Sequence, residues 1–190
     1  AYTTRISTAY NAQATQSTMY PASGNTLADQ LKIVARLVGG GLKTPVYIVN
    51  HPNSFDTHVD QVTAGNTVAG SHADILSKLS VAISAFQDDI TLMGKATKVT
   101  GMTFSEFGRR VSQNASNGTD HGTANNMFFV SGGLKEKGIL NAMPDLADLN
   151  EGDLKHTVDF KNVYATVLNK WLGADDKMIL GSKFSYLDFI

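Results

Sequence analysis

Residues 46–60 read Val-Tyr-Ile-Val-Asn-His-Pro-Asn-Ser-Phe-Asp-Thr-His-Val-Asp, a short apolar run that leads directly into a polar loop. The β-branched and aromatic residues at 46–49 are typical of a buried strand. Pro45 precedes this run, and the polar stretch from Asn50 to Asp60 ends it. A strand that leads into a polar loop predicts the carboxyl end of a strand in an α/β sheet, which is where such folds place their functional sites.

Helical patterns flank this run on both sides. From Thr26 the apolar residues recur at spacings of three and four, with Asp29 in the first turn and Gly39-Gly40-Gly41 after the last one. This pattern predicts an amphipathic helix. The same spacing predicts a second helix over residues 75–90 and a last one over about 160–172.

Two further strands are predicted downstream, at residues 95–104 and 127–130. Strands that alternate with long helices imply crossover connections, so we predict an α/β fold with a mainly parallel sheet between helical layers. Residues 1–25 are rich in Ala, Thr, Ser, Gln and Tyr and predict an irregular lead-in. Residues 26–190 are then expected to form part of a single α/β domain.

Composition excludes several classes of partner. The chain has 16 basic and 17 acidic residues and a formal net charge of -1, so it offers no electrostatic footprint for nucleic acid or an anionic membrane surface. No apolar run approaches the roughly 20 residues that a membrane-spanning helix needs. Cysteine is absent, so a bound metal ion must be ligated by His, Asp or Glu.

The first candidate cluster lies in the loop after residues 46–49. Asp56 and His58 place a carboxylate and an imidazole two residues apart, and Asp60 and Gln61 add nearby oxygens. This set suits a divalent metal ion such as Zn²⁺, Mn²⁺ or Ca²⁺. The alternative is that Asp56 caps a turn and His58 is an ordinary surface histidine.

The second cluster is Asp120-His121, which lies between Gly118 and Gly122. The two glycines let the backbone turn tightly and present both side chains to one point. The alternative is a polar turn without a ligand, because these residue types are common turn formers.

The third cluster joins Glu106 to Arg109 and Arg110. It could be a carboxylate ligand beside guanidinium groups that hold phosphate or sulfate oxygens, or it could be a surface ion pair. All three clusters occupy the same predicted setting at strand ends, which favours one shared site.

These clusters form an ordered series of motifs: Phe55-Asp56-Thr57-His58-Val59-Asp60-Gln61, Ser105-Glu106-Phe107-Gly108-Arg109 and Gly118-Thr119-Asp120-His121-Gly122. The series resembles that of the bacterial proteins called domain of unknown function 1501, which are similar to the alkaline-phosphatase and sulfatase superfamily. The resemblance extends from about Thr26 to Leu172. It implies that the chain is the C-terminal portion of an alkaline-phosphatase-like domain.

The resemblance also implies a two-metal hydrolase of phosphate or sulfate esters that is exported to the periplasm or the extracellular space. Asp56 and His58 match the first ligand motif, and Asp120 with His121 resembles the Gly-Thr-Asp-His stretch of related metal-dependent phosphomutases. Glu106-Phe107-Gly108 falls where those relatives have Asp-His-Gly. Since a phenyl ring cannot ligate a metal, this departure puts one metal position in doubt.

Two expectations about partners follow from the same resemblance. Arg109 or Arg110 would hold the anionic oxygens of a small ester substrate. Family members carry a Gly-Gly-Asn-Asp-like motif near their N-terminus, which this chain lacks, so the nucleophile is expected in a missing N-terminal half or a partner chain that completes the fold. The alternative is a non-catalytic extracellular or cell-surface binding or assembly protein that keeps the fold.

Overall fold

Helices provide most of the regular structure in the computed structural model, which describes residues 2–51 and 55–190. The α-helices in these ranges are α1 Tyr2–Ala12, α2 Thr26–Gly39, α3 Ser71–Leu92, α4 Phe160–Thr166 and α5 Asp176–Leu180. A 3₁₀ turn spans Ala96–Lys98, and a π-helical turn spans Val167–Trp171. No helix in the described ranges is both long enough and apolar enough to cross a membrane.

The strands are short and pair only two by two. They are β1 Gly101–Met102, β2 Gly108–Gln113, β3 Thr119–Gly122, β4 Phe129–Val130, β5 Leu149–Asn150 and β6 Asp153–Leu154. Among the described residues the sheets are β1–β4, β2–β3 and β5–β6. The β5–β6 pair is antiparallel, with Leu149 opposite Leu154.

The predicted α/β architecture, a mainly parallel sheet between helical layers of the alkaline-phosphatase type, is wrong. Residues 46–49 form no strand. Val46 and Ile48 are 53% and 78% exposed, while Tyr47 and Val49 pack against the helical core. A central strand of a parallel sheet is buried on both faces, and this run is buried on one face only.

Other contacts explain why the predicted strands do not extend. The backbone N–H of Asn50 donates to Oε1 of Gln30 at 3.0 Å, and the Asn50 carbonyl accepts from Nε2 of Gln30 at 2.7 Å. A side-chain amide therefore occupies the place of a neighbouring strand. The 3₁₀ turn interrupts residues 95–104 and leaves only β1, and 127–130 retains only β4. Part of the predicted loop after Asn50, residues 52–54, lies outside the described residues.

The predicted helices are confirmed, and α2 begins at the predicted residue, Thr26. Asn25 precedes it and accepts a hydrogen bond from the N–H of Ala28 at 3.1 Å, which is an N-terminal cap. The last predicted helix is found as α4 and the π-helical turn that continues it.

The lead-in predicted as irregular differs from the structure, because α1 occupies residues 2–12 and only 13–25 lack helix and strand. Tertiary contacts stabilise α1. Arg36 donates hydrogen bonds to the carbonyls of Tyr10 and Gln13, and its guanidinium lies 3.5 Å from the centroid of the Tyr10 ring. A Cβ on Gly40 would lie 1.9 Å from the Ala9 carbonyl oxygen, so only glycine allows this close approach.

The described chain divides into two compact units. Unit 1 runs up to Gly101 and adds residues 113–119 and 129–132. Unit 2 comprises residues 102–112, 120–128 and 133–190.

The core of unit 1 lies between α2 and α3. One cluster contains Val34, Ala35, Phe86 and Ile90, and a second contains Leu27, Ala28 and Ala82. The cluster near the start of α2 contains Ala82, and the cluster nearer its end contains Phe86 and Ile90 from further along α3. The two helices therefore run in the same direction. Burial of a Phe or Ile side chain stabilises a core by about 1.5–3 kcal/mol.

A buried carboxylate attaches the segment after α1 to this core. Asp89 of α3 is 0% exposed, and its Oδ1 accepts the N–H groups of Gln16 at 2.6 Å and Ser17 at 3.1 Å. Charge-assisted hydrogen bonds of this kind satisfy backbone donors that burial would otherwise leave without an acceptor.

Tyr20 makes unit 1 sensitive to high pH. Burial raises the pKa of its phenol well above the ordinary 10.0, and the negative charge of Asp89 adds to the shift. Above pH ~10 the Tyr20 phenol loses its proton in the unfolded chain but keeps it in the folded chain. The free energy of unfolding is therefore unaffected by Tyr20 below that pH and falls as the pH rises above it. We expect Tyr20→Phe to flatten the fall in unfolding free energy between pH 9 and 11, measured by urea titration. Equal slopes in both proteins would contradict this.

In unit 2 a buried carboxylate holds the last helices and the C-terminal segment. Oδ1 of Asp176 accepts from Asn169 Nδ2 at 3.1 Å and from the Tyr186 hydroxyl at 2.9 Å. The N–H of Leu187 donates to Oγ1 of Thr166 at 2.9 Å. The segment after α5 is thereby anchored to α4.

Candidate metal site

Asp56 and His58 lie together in unit 1. Nε2 of His58 is 2.9 Å from Oδ1 of Asp56, and both side chains are about two-fifths exposed, at 42% and 37%. Metal bonds of 2.0–2.2 Å place two ligands of a tetrahedral ion about 3.4 Å apart. A small opening of the pair would therefore admit a divalent ion.

A short loop holds the backbone of this pair in place. Three backbone hydrogen bonds join residues 57–61 to residues 116–119: Asp60 N–H to Ser116 O at 3.0 Å, Gln61 N–H to Asn117 O at 2.9 Å and Thr119 N–H to Thr57 O at 3.3 Å. The Thr119 hydroxyl also donates to Oε1 of Gln61 at 2.9 Å. Because the backbone is paired on this side, the positions of Asp56 and His58 are defined by the fold.

Asn114 and Gly118 allow this loop to pack against the backbone of His58. Nδ2 of Asn114 donates to the His58 carbonyl at 2.9 Å, and its Oδ1 accepts the N–H groups of Ser116 and Gly118. A Cβ on Gly118 would lie 2.2 Å from the His58 carbonyl. The sequence predicts a tight turn at Gly118, but this glycine instead allows the close approach to His58, and Asn117 takes the left-handed conformation with φ 57°. Asn114 was missed, because nothing in sequence connects it with His58.

The start of α3 supports the loop from the other side. Oγ of Ser71 donates to the Asp60 carbonyl at 3.0 Å, and the His72 N–H donates to the Gln61 carbonyl at 3.1 Å. The ring of Phe55 makes edge contacts with two histidines, His51 at 5.4 Å and His72 at 6.1 Å between centroids. No motif in the sequence gives either histidine a role.

The second and third clusters lie mainly in unit 2. Asp120 and His121 belong to β3 and are exposed, and Glu106 is exposed in the bend before β2. The His121 ring stacks on Phe107 with centroids 3.7 Å apart and planes inclined by 9°. The guanidinium carbon of Arg109 lies 5.5 Å from the Phe107 centroid. Phe107 therefore contacts both a predicted ligand and a predicted anion-binding residue.

Arg110 is engaged elsewhere in unit 2. Its Nε lies 3.2 Å from Oδ1 of Asp153, and its Nη2 donates to the Glu151 carbonyl. Both contacts attach β2 to the β5–β6 hairpin. A structural role for Arg110 is thus visible, while its role toward a substrate stays a prediction.

A family model described as "Protein of unknown function (DUF1501)" matches residues 3–183. The chain belongs to this family. The predicted resemblance to the DUF1501 family is confirmed, and the match extends beyond the predicted limits of about 26 and 172 on both sides. No curated protein and no solved structure matches the chain.

The DUF1501 chain thus brings parts of the predicted site together within each unit. Asp56 and His58 are in contact in unit 1, and His121, Phe107 and Arg109 form one stacked group in unit 2. The family description names no activity, so the metal, the ester substrate and the relation to alkaline phosphatases and sulfatases stay predictions.

Proposed function

We propose that this DUF1501 chain binds a divalent metal ion through Asp56 and His58. The observation that carries the proposal is the 2.9 Å contact between Asp56 and His58 on a backbone held by residues 116–119. Ca²⁺ prefers oxygen ligands only, whereas imidazole suits Zn²⁺ and similar transition metals. The imidazole of His58 therefore favours Zn²⁺ or Mn²⁺ over Ca²⁺.

The proposed ion would serve a hydrolase of phosphate or sulfate esters in the periplasm or the extracellular space. A bound metal polarises the ester and stabilises the anionic transition state. Arg109 is the better candidate for holding the anionic oxygens, because the guanidinium of Arg110 already contacts Asp153 and Glu151. The nucleophile would come from a segment or partner with the Gly-Gly-Asn-Asp-like motif. This part of the proposal is supported by the motif series.

Metal titration tests the proposal. Purified protein, stripped with chelator, is titrated with Zn²⁺ or Mn²⁺ by calorimetry. We expect one saturable site, and His58→Ala should weaken its affinity by about 100-fold or more, because loss of a direct ligand exceeds the roughly 10- to 100-fold effect of losing an orienting partner. Asp56→Ala should behave similarly. His156→Ala, at an exposed histidine in unit 2, is the matched control and should bind as the wild type does. Unchanged affinity in His58→Ala would refute the site.

A non-catalytic binding or assembly protein is the second candidate. Four apolar side chains in the eight residues 139–146 are exposed: Ile139 at 72%, Leu140 at 47%, Met143 at 70% and Leu146 at 63%. Contiguous exposed apolar patches mark surfaces that contact a partner, so we propose these residues as the contact surface of an assembly protein. The same titration separates the candidates, since absence of metal binding together with a native mass above that of one chain favours assembly.

A further inference from the structure

We infer that an open cleft in unit 1 binds a small phosphate monoester, with Arg5 and Lys43 contacting the phosphate oxygens. The cleft has a volume of about 830 Å³, which lies within the roughly 300–1,000 Å³ of typical small-molecule sites. One wall is the start of α1, and the other is the segment 40–45 that follows α2. The lining residues all belong to unit 1, and none is a residue of the proposed metal site, so the inference is independent of the proposed function.

Two contacts between the walls fix the width of the cleft. At one end Gly40 approaches the Ala9 carbonyl oxygen so closely that a Cβ on Gly40 would lie 1.9 Å from it. At the other end the Tyr2 hydroxyl lies 3.2 Å from Oγ1 of Thr44. Residues 2, 5 and 9 are three and four positions apart and therefore share one face of α1. Arg5 thus lies between the two contacts, on the wall of the cleft.

The charge of the cleft favours an anion. Among the described lining residues the charged ones are Arg5 and Lys43, which lie on opposite walls, and none is acidic. Within residues 2–51 and 55–190 neither cation forms an ion pair with a carboxylate. The surrounding sequence is basic as well, because residues 1–45 contain four basic side chains and one acidic one, Asp29. Two unpaired positive charges on facing walls repel each other, and an anion between them replaces this repulsion by attraction.

The end of α2 beside the cleft opposes an anion only weakly. A helix C-terminus carries partial negative charge on its unpaired carbonyl groups. Here the N–H of Gly41 donates to the Val38 carbonyl at 3.1 Å, and the N–H of Leu42 donates to the Leu37 carbonyl at 3.0 Å. Because these carbonyls are already hydrogen-bonded, the full charges of the guanidinium and ammonium groups dominate the cleft.

The lining also indicates the class of ligand. A phosphate monoester carries a charge of about -1.5 to -2 at pH 7, which matches two cations better than a singly charged sulfate ester or carboxylate does. An arginine can hold two phosphate oxygens at once. The cleft is too large for inorganic phosphate alone, and Leu42 and Pro45 add apolar surface to it. We therefore expect the phosphate group between Arg5 and Lys43 and an apolar organic group against Leu42 and Pro45.

Titration of the full chain with phenyl phosphate, followed by the amide NMR spectrum, tests the inference. Low ionic strength is used because salt screens exposed charges. We expect saturable shifts that are largest in residues 2–9 and 40–45. Inorganic phosphate lacks the apolar group and phenyl sulfate lacks the second charge, so each should bind about threefold or more weakly than phenyl phosphate. Phenyl sulfate binding as tightly as phenyl phosphate would overturn the assignment of a phosphate monoester.

Charge-neutral variants identify the residues that bind. Arg5→Gln and Lys43→Gln should each weaken phenyl phosphate binding by about 5- to 10-fold, because each removes a charge-assisted hydrogen bond at an exposed site. Lys32→Gln is the matched control, since it removes one positive charge from an exposed position of α2 outside the cleft. It should bind as the wild type does. Thermal melting checks that each variant is folded.

Two further results would overturn the inference. One is the absence of saturable phenyl phosphate binding by the wild type. The other is equal weakening by Lys32→Gln and Arg5→Gln, which would show that only the net charge of the chain attracts the anion. Neither result bears on Zn²⁺ binding by Asp56 and His58, so failure of the cleft and failure of the proposed function are distinguishable.

Discussion

Asp89→Ala is expected to lower the free energy of unfolding by about 3–4 kcal/mol, because hydrogen bonds to a charged group contribute about 1.5–3 kcal/mol each. The carboxylate is fully buried in α3 and accepts the backbone N–H groups of Gln16 and Ser17. Its removal leaves those donors without an acceptor, and Ser17 is itself only 8% exposed. Urea unfolding followed by circular dichroism measures the effect.

Asp88→Ala is the matched control, since it removes a half-buried carboxylate from the adjacent position of the same helix. We expect a change within about 0.5 kcal/mol there, as for most substitutions away from buried networks. Asp89→Asn keeps an acceptor oxygen and should fall between the two. Equal destabilisation by Asp88→Ala and Asp89→Ala would show that the two hydrogen bonds do not anchor the segment after α1.

Gly118→Ala is expected to disrupt both stability and the proposed metal site. The added Cβ would lie 2.2 Å from the carbonyl carbon and oxygen of His58. Residues 116–119 must therefore move away from the backbone segment that carries Asp56 and His58. Overpacking of this kind destabilises by about 2–3 kcal/mol. Zn²⁺ affinity should fall at least about 10-fold, because the two ligands lose the backbone that orients them.

Gly101→Ala is the control for this substitution. Its Cβ would meet the Val130 carbonyl oxygen at an ordinary 3.7 Å, so the change adds the same methyl group without a clash. We expect that variant to unfold and to bind Zn²⁺ much as the wild type does. Wild-type Zn²⁺ affinity in Gly118→Ala would show that the loop does not position Asp56 and His58.

Helices could be predicted from this sequence because their signals are local. Periodic apolar residues, the acidic residue Asp29 in the first turn and the glycine run after the last turn all lie within one helix length, and α2 begins at the predicted Thr26. The strands could not be predicted this way. A buried-strand pattern at 46–49 requires partners elsewhere in the chain, and here the Gln30 side chain takes the position of a partner at Asn50.

The contact between Asp56 and His58 could be predicted from the sequence, but the residues that hold their backbone in place could not. The spacing of Asp56 and His58 indicated that their side chains could meet, and the structure places them 2.9 Å apart. The sequence does not show that His58 contacts Asn114 or that Phe107 contacts His121, because the residues of each pair are far apart in the chain. The first pair is separated by 56 positions. Such pairs form only where the folded backbone returns to the same place.

The order of residues alone determined the helices α2 and α3 and the membership of a family, since both depend on patterns that neighbours in the chain share. Tertiary structure decided how the apolar runs are used, which backbone supports Asp56 and His58, and which side chains Phe107 contacts. The physical reason is that distant parts of the chain compete to form hydrogen bonds with the same extended backbone segment. Only the folded chain determines which of them forms these hydrogen bonds.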